Sequence, residues 1–248
     1  VQNHSDNLPT GGYGGLMSPL SNWFGRQVDM KSLKDHWQEL DVWGNPYNWN
    51  SLWNDNPYWT TGKNTNSRTR DRIFGNFNLT YQFTDWLSVT GRVGTDWYNE
   101  YRKAVRYNNP ATLPEGAFSQ SQRYENITYM DLILTADREL GEDFGLRVSL
   151  GADYSDRKFH SMSETATALT VPDLFTIANV KGTPSVTMYD SHGRENSVFG
   201  TLNLNFRRML YLDITGRNDW SSTLPKDNWS YFYPSFGLSW VFTEAFDI

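Results

Sequence analysis

The stretch from Arg72 to Tyr98 constrains the fold more than any other part of the sequence. It holds two runs of alternating apolar and polar residues, separated by Thr84-Asp85. A side-chain period of two is typical of a β-strand with one apolar and one polar face. The two-residue break predicts a tight turn and therefore a β-hairpin. The apolar positions are Ile73, Gly75, Phe77, Leu79, Tyr81 and Phe83 in the first run, and Leu87, Val89, Val93 and Trp97 in the second.

The length of these runs indicates where the hairpin lies. Each run alternates for about ten residues, whereas soluble strands usually run for about 5–6 residues. Ten residues at ~3.3 Å each, tilted by ~45°, climb roughly 25 Å, the height of the apolar band of an outer-membrane barrel. Aromatic residues stand near both ends, for example Trp86 beside the turn and Trp97 and Tyr98 at the far end. Rings placed there fit the two interfaces of a bilayer.

The rest of the chain repeats this hairpin and predicts about seven strands. Every second connection is short and the others are long, so in an up-and-down meander all short turns lie at one end. Outer-membrane barrels have this asymmetry, with short periplasmic turns and long extracellular loops. The predicted fold is therefore all-β, an antiparallel up-and-down segment of a transmembrane β-barrel. The predicted strands cover about residues 72–83, 86–97, 126–139, 144–158, 195–206, 209–218 and 232–242, and the short turns are 84–85, 141–143, 207–208 and 243–245.

Residues 1–71 are predicted to form an irregular extracellular loop region, and residues 72–248 the partial barrel. The glycine-rich residues 11–15 are expected to be flexible. One short helix is predicted near residues 29–40, because Asp29 can cap it and apolar residues recur on one face. The helix either packs on its own loop or presents a surface to a partner or ligand. Its apolar face would consist of Met30, Leu33, Trp37 and Leu40.

Composition and motifs exclude several classes of protein. The formal charge of −6 leaves no basic footprint for nucleic acid. The chain has no cysteine for a disulfide framework or a thiolate metal site. Its histidines, at positions 4, 36, 160 and 192, lack the H-x-x-x-H spacing of a zinc site. We therefore predict no catalytic residue, cofactor or metal site, and we do not expect an enzyme.

Charged residues of the polar parity are the best candidates for a functional surface. On that parity they would face an aqueous pore, whereas each charge on the lipid face would cost ~2–4 kcal/mol at mid-depth. They either form salt bridges within the lumen and to a plug or line the substrate path. Asp219 and Trp220, at a predicted strand-to-loop boundary, either anchor a loop or contact substrate. The candidate lumen-lining residues are Arg92, Asp96, Arg147, Asp153, Asp213 and Arg217.

Several motifs resemble the SusC/RagA-like TonB-dependent outer-membrane transporters of the Bacteroidetes type. The resemblance covers most of residues 20–248, and TGRNDWSSTLP is its most specific run. The motifs are TGRNDWSSTLP (Thr215–Pro225), YFYPS (Tyr231–Ser235), SWVFTEAF (Ser239–Phe246), TDWLSVTGRVGTDWY (Thr84–Tyr98), NPYW (Asn56–Trp59) and WFGR (Trp23–Arg26).

The resemblance implies a 22-stranded barrel with an N-terminal plug in the outer membrane of a Gram-negative bacterium. It also implies a SusD-like surface lipoprotein as an external lid and energy supplied through the TonB complex. The implied cargo is an oligosaccharide or peptide too large for porins. The sequence itself does not identify which cargo is carried.

Two features of such transporters, the TonB box and the plug, are not found in the sequence. About seven strands cannot close a 22-stranded barrel, and unpaired edges are not viable in lipid. We therefore expect the chain to be a middle piece of a longer protein that transports nothing by itself. The alternatives are a passive porin or adhesin barrel and a soluble β-sheet module that binds or hydrolyses carbohydrate.

Overall fold

Eight β-strands make up most of the chain in the computed structural model, which describes residues 2–9, 16–17, 19–50, 54–110 and 112–244. The strands form one sheet in which their order is the order along the chain. The glycine-rich residues 11–15 and the end of the last predicted turn lie outside the described residues. The strands are β1 (Gln2–Pro9), β2 (Thr65–Thr84), β3 (Leu87–Arg106), β4 (Ala117–Leu140), β5 (Phe144–Ala166), β6 (Ser185–Phe206), β7 (Leu210–Ser221) and β8 (Ser230–Trp240).

The register of β6, β7 and β8 separates apolar from polar side chains. Ile214 of β7 lies between Leu202 of β6 and Phe236 of β8, and both pairings are antiparallel. The next residue, Thr215, lies between Thr201 and Ser235. Because residues directly opposite each other share a face of the sheet, the alternation of the sequence becomes two chemically different faces. We call them the apolar face and the polar face.

Short turns join β2 to β3, β4 to β5 and β6 to β7. In the last of these, Arg207 and Arg208 have φ values of 51° and 56°. Two consecutive residues with positive φ are typical of the type I′ turns that suit the twist of a hairpin. The guanidinium of Arg207 also donates from Nε to Asp143 Oδ1 at 2.8 Å. This hydrogen bond lowers the pKa of Asp143, so the contact is kept above the ordinary pKa of aspartate and lost as the pH falls through the lowered one.

The structure corrects the predicted number and length of strands. There are eight described strands rather than seven, because β1 lies in the region predicted to be irregular. It pairs with β2, which begins at Thr65 rather than near Arg72. Strands β3 to β6 also extend into predicted loops, and the predicted loop 159–194 shrinks to residues 167–184. These extensions carry polar residues on both parities, so backbone pairing continues where the hydrophobic pattern has ended.

A π-helical turn (Pro19–Trp23) and two short α-helices lie between β1 and β2 in the described part of the chain. Helix α1 (Met30–Asp35) begins after Asp29, whose carboxylate accepts from the backbone amides of Lys31 and Ser32. It ends before the predicted end at Leu40, and only its Leu33 is buried. Helix α2 (Pro57–Gly62), which the sequence pattern did not predict, begins after the capping residue Asn56. Asn56 is itself buried and donates to the carbonyl groups of Leu33 and Tyr47.

The chain divides into two compact units. Unit 1 comprises residues 1–72, 98–124 and 160–190, and unit 2 comprises residues 73–97, 125–159 and 191–248. Unit 1 has a small core in which Phe118, Ala166 and Leu169 are buried. None of the helices in the described residues has the length and apolar character needed to span a membrane.

Aromatic rings cover glycines on the polar face of unit 2. A Cβ atom added to Gly94 of β3 would lie 2.1 Å from the ring of Tyr129 on β4. A Cβ atom on Gly151 of β5 would lie 2.3 Å from the ring of Phe199 on β6. Each ring therefore packs directly on the backbone of the neighbouring strand, which only a glycine allows.

Replacing Gly94 by valine is expected to lower the free energy of unfolding by about 2 kcal/mol, because the ring of Tyr129 must leave its packed position. The matched control is Gly75→Val in β2, where an added Cβ meets no atom within 4 Å. Thermal unfolding of the two variants of the full-length protein in detergent measures the difference. Equal melting temperatures would show that the ring does not depend on the glycine.

Candidate functional site: the polar face of the strands

The polar face of unit 2 carries ion pairs between neighbouring strands. Arg92 of β3 donates from Nε to both carboxylate oxygens of Asp131 on β4, at 2.8 and 2.9 Å. Arg147 of β5 forms an ion pair with Asp137 of β4, and its Nε donates at 2.8 Å. Two of the predicted lumen-lining arginines thus lie beside a carboxylate that the sequence did not single out. The Arg147–Asp137 pair is exposed at both ends and contributes little stability, so its consequence is a hydrated, charged surface.

Arg217 of β7 is the centre of the densest cluster on this face. Its guanidinium donates to Asp153 of β5 from Nη1 at 2.7 Å and to Asp219 from Nε at 2.6 Å. It also donates from Nη2 to the hydroxyl of Ser197 at 2.5 Å, and that hydroxyl donates to Asp153. The ring of Phe199 lies 5.7 Å from the same guanidinium. Four side chains from the three strands β5, β6 and β7 therefore hold the guanidinium of Arg217 in a fixed position.

The remaining predicted residues occupy separate places. Asp213 accepts a hydrogen bond from the side-chain amide of Asn203, which lies opposite it on β6. Asp96 lies four residues after Arg92 in β3, and therefore on the same face of the sheet. Asp219 and Trp220 lie within the last three residues of β7, which ends at Ser221, so the loop begins about three residues later than predicted. As consecutive residues of one strand they face opposite sides, with Asp219 on the polar face beside Arg217.

Unit 1 contains a cluster that sequence reasoning missed. The carboxylate of Glu100 on β3 is fully buried and accepts from Arg102 Nε at 2.5 Å and from Arg70 Nε of β2 at 2.6 Å. A third guanidinium, that of Arg68, lies 3.9 Å away. Arg70 also stacks over the ring of Tyr98 at 4.3 Å. The sequence did contain a sign of this cluster. Glu100 and Arg102 continue the every-second-residue spacing of the polar residues Arg92 and Asp96, beyond the point where the apolar alternation ends.

The apolar face of unit 2 is open to the surroundings. Leu132 and Leu150 each keep 59% of their surface exposed, and Phe236 keeps 75%. No second layer of protein covers these residues within the described ranges. A continuous exposed apolar surface of this kind marks contact with another apolar medium or partner.

The described residues contain no group of three or more histidine, aspartate or glutamate side chains placed to hold a metal ion. His160 and His192 instead lie beside Asp190 and Asp156, at 2.6 and 2.8 Å. The arrangement on the polar face can bind charged and hydrogen-bonding groups.

Comparison with known proteins gives the family. A sequence model described as "TonB dependent receptor-like, beta-barrel" matches residues 19–248. The chain belongs to the TonB-dependent receptor-like β-barrel family. The predicted resemblance to TonB-dependent transporters is thereby confirmed, as is the all-β antiparallel fold of a barrel segment.

Relatives of this TonB-dependent receptor-like chain are much longer than the chain itself. TonB-dependent receptor P26 of Formosa agariphila is 23% identical over 196 residues, which cover 76% of this chain and 20% of that protein. The structure of the RagAB peptide transporter superposes with a TM-score of 0.68 at 18% identity, over 80% of this chain and 23% of that one. The RagAB peptide importer in its "closed-closed" state gives 0.67, over 78% and 22%. The chain thus spans about a fifth of the length of these relatives.

Proposed function

We propose that this chain is part of a TonB-dependent transporter that imports oligosaccharides or peptides across the outer membrane of a Gram-negative, Bacteroidetes-type bacterium. A SusD-like surface lipoprotein acts as its lid, and the TonB complex supplies energy through parts of the protein outside this chain. The barrel of the whole protein has 22 strands. The strands of unit 2 cross the bilayer, and residues 1–71 belong to the extracellular loop region.

The observation that carries this proposal is the separation of the two faces in β6, β7 and β8. One face is apolar and exposed, whereas the other holds the network around Arg217. A globular protein in water would have to bury the first face, but a bilayer solvates it directly. The aqueous pore of a barrel solvates the second.

The charged residues of the polar face would then line the lumen. Because Arg92, Arg147 and Arg217 each lie beside a carboxylate, we infer that they mainly hold the wall and contact a plug. Asp96 and Asp213 share that wall. Asp219 is an anchor for the loop that follows β7, and Trp220 on the other side of the strand faces away from the cargo path.

Two other functions give different expectations. A passive porin or adhesin barrel would share the two-faced strands but would not need TonB. A soluble carbohydrate-binding module would need a partner layer on its apolar face, and the family match favours the membrane interpretation.

The test uses the full-length gene in its own bacterium, with and without the gene for TonB. We expect uptake of at least one oligosaccharide or peptide mixture to be lost when either gene is deleted, and a surface lipoprotein to copurify with the transporter. Uptake that persists without TonB would identify a passive barrel. A full-length protein that stays soluble without detergent would contradict the membrane assignment.

A further inference from the structure

We propose that the arginine pocket of unit 1, defined by Arg68, Arg102, Asn66, Ser119 and Ser121, binds carboxylate groups carried by the cargo. The inference depends on the proposed transport function and narrows its cargo to acidic oligomers. The resemblance to SusC/RagA-like transporters does not imply an acidic cargo. It implies only an oligosaccharide or peptide that is too large for porins.

The first observation is the imbalance of charge around Glu100. Three guanidinium groups, those of Arg68, Arg70 and Arg102, lie within 3.9 Å of this one carboxylate. Arg70 and Arg102 donate the short hydrogen bonds, so the carboxylate is already bound on both oxygens. The cluster therefore keeps an excess of positive charge that no described carboxylate compensates.

The second observation is an unused donor on Arg68. Its Nε is buried and has no hydrogen-bond partner among the described residues. A buried polar N–H without a partner costs about 1–3 kcal/mol, so this donor needs an acceptor that the described residues do not supply. The Nε atom of Arg68 lies 3.9 Å from the carboxylate of Glu100, which is too far for a hydrogen bond.

The third observation is the chemistry of the pocket beside these arginines. Its lining includes Ser119 and Ser121 of β4 and Asn66 of β2, next to Arg68 and Arg102. Hydroxyl and amide groups complete the hydrogen bonds of a bound carboxylate, and guanidinium groups bind it through paired N–H donors. Every residue of this pocket belongs to unit 1.

The same face carries further cations along the strands. Arg106 lies four residues after Arg102 in β3, and Arg123 lies two residues after Ser121 in β4. Even spacings in a strand place these side chains on the same face of the sheet. Neither arginine has an ion pair within the described part of the chain. A run of cations on one face attracts a polymer with repeated negative charges more strongly than a neutral one.

The experiment measures binding of defined oligomers to the detergent-solubilised full-length transporter by calorimetry. The probes are an oligomer of uronic acids, an acidic peptide, and a neutral oligosaccharide of the same length. We expect either or both acidic probes to bind and the neutral one to bind at least tenfold more weakly. Raising the ionic strength from ~0.05 to ~0.5 M should weaken only the acidic probes, because salt screens their attraction to the arginines.

The variant Arg68→Gln is expected to weaken binding of the acidic probe about tenfold, since it removes a charge-assisted hydrogen bond but leaves Glu100 bound by Arg70 and Arg102. The control is Arg138→Gln, which removes an equal charge from a guanidinium that lies 5.7 Å from the ring of Trp86. Melting temperatures of both variants check that they fold.

Three outcomes would overturn the proposal: equal binding of neutral and acidic probes, no binding of either acidic probe, or equal effects of the two variants. The identity of the acidic probe that binds separates a carbohydrate source of the carboxylate from a peptide source. TonB-dependent uptake of a neutral cargo would leave the transport function intact while contradicting the arginine pocket, so the two failures are distinguishable.

Discussion

Arginine in place of Ile214 is expected to lower the free energy of unfolding in a bilayer by ~2–4 kcal/mol. Ile214 lies midway along β7, with Leu202 opposite it on one side and Phe236 on the other. The substitution would place a guanidinium in the middle of the apolar face. No described acidic residue faces this position from β6 or β8, so the charge must either remain in hydrocarbon or distort the strand.

The control for Ile214→Arg is the adjacent substitution Thr215→Arg, which puts the same side chain on the polar face between Thr201 and Ser235. We expect it to be tolerated, because it faces water. The measurement is the urea midpoint of the full-length protein in lipid vesicles, together with the amount of folded protein in outer membranes. A smaller loss for Ile214→Arg than for Thr215→Arg would reverse the assignment of the two faces.

Replacing Glu100 by glutamine is expected to destabilise the protein by about 3 kcal/mol, which is the cost of leaving buried or partly buried charges without their partner. Glu100 has no exposed surface, and it separates the guanidinium groups of Arg70, Arg102 and Arg68. Glutamine keeps the shape and one acceptor oxygen, so the expected loss is electrostatic. Thermal unfolding in detergent measures it.

Two further variants make the Glu100 experiment specific. Glu142→Gln removes the same charge from the exposed turn between β4 and β5 and is expected to change the melting temperature little. The double variant Glu100→Gln with Arg70→Gln should recover part of the loss, because it removes one of the repelling charges. A double variant less stable than the sum of the single effects would argue against charge balance as the role of Glu100.

The strands that cross the apolar medium could be predicted because each side chain there must suit one of two solvents. Leu132, Leu150 and Ile214 alternate with Asp131, Gly151 and Thr215 for that reason, and the period of two is visible in the letters. The short turns were predictable too, since they interrupt the period at Thr84-Asp85, Gly141 and Arg207. The helix cap at Asp29 followed from local hydrogen bonding.

The partners of the charged residues were not predictable. Sequence placed Asp153 and Arg217 on one face, but they are 64 positions apart and only the strand order brings them together. The Glu100 cluster was missed because the apolar alternation ends near Trp97, while backbone pairing continues to Arg106. Strand β1 was missed for the same reason, as its residues have no alternation and its partner is found only in the sheet.

The amino-acid sequence by itself determined the class of fold, the two faces and the family resemblance, because these depend on the local period of side chains and on short motifs. Only the tertiary structure decided which charges meet, how far the strands extend and where an arginine donor is left over. Those properties depend on pairing between strands distant in sequence. Beyond the apolar alternation this pairing is held by backbone hydrogen bonds, whose N–H donors every residue except proline carries, so it leaves no pattern in the sequence.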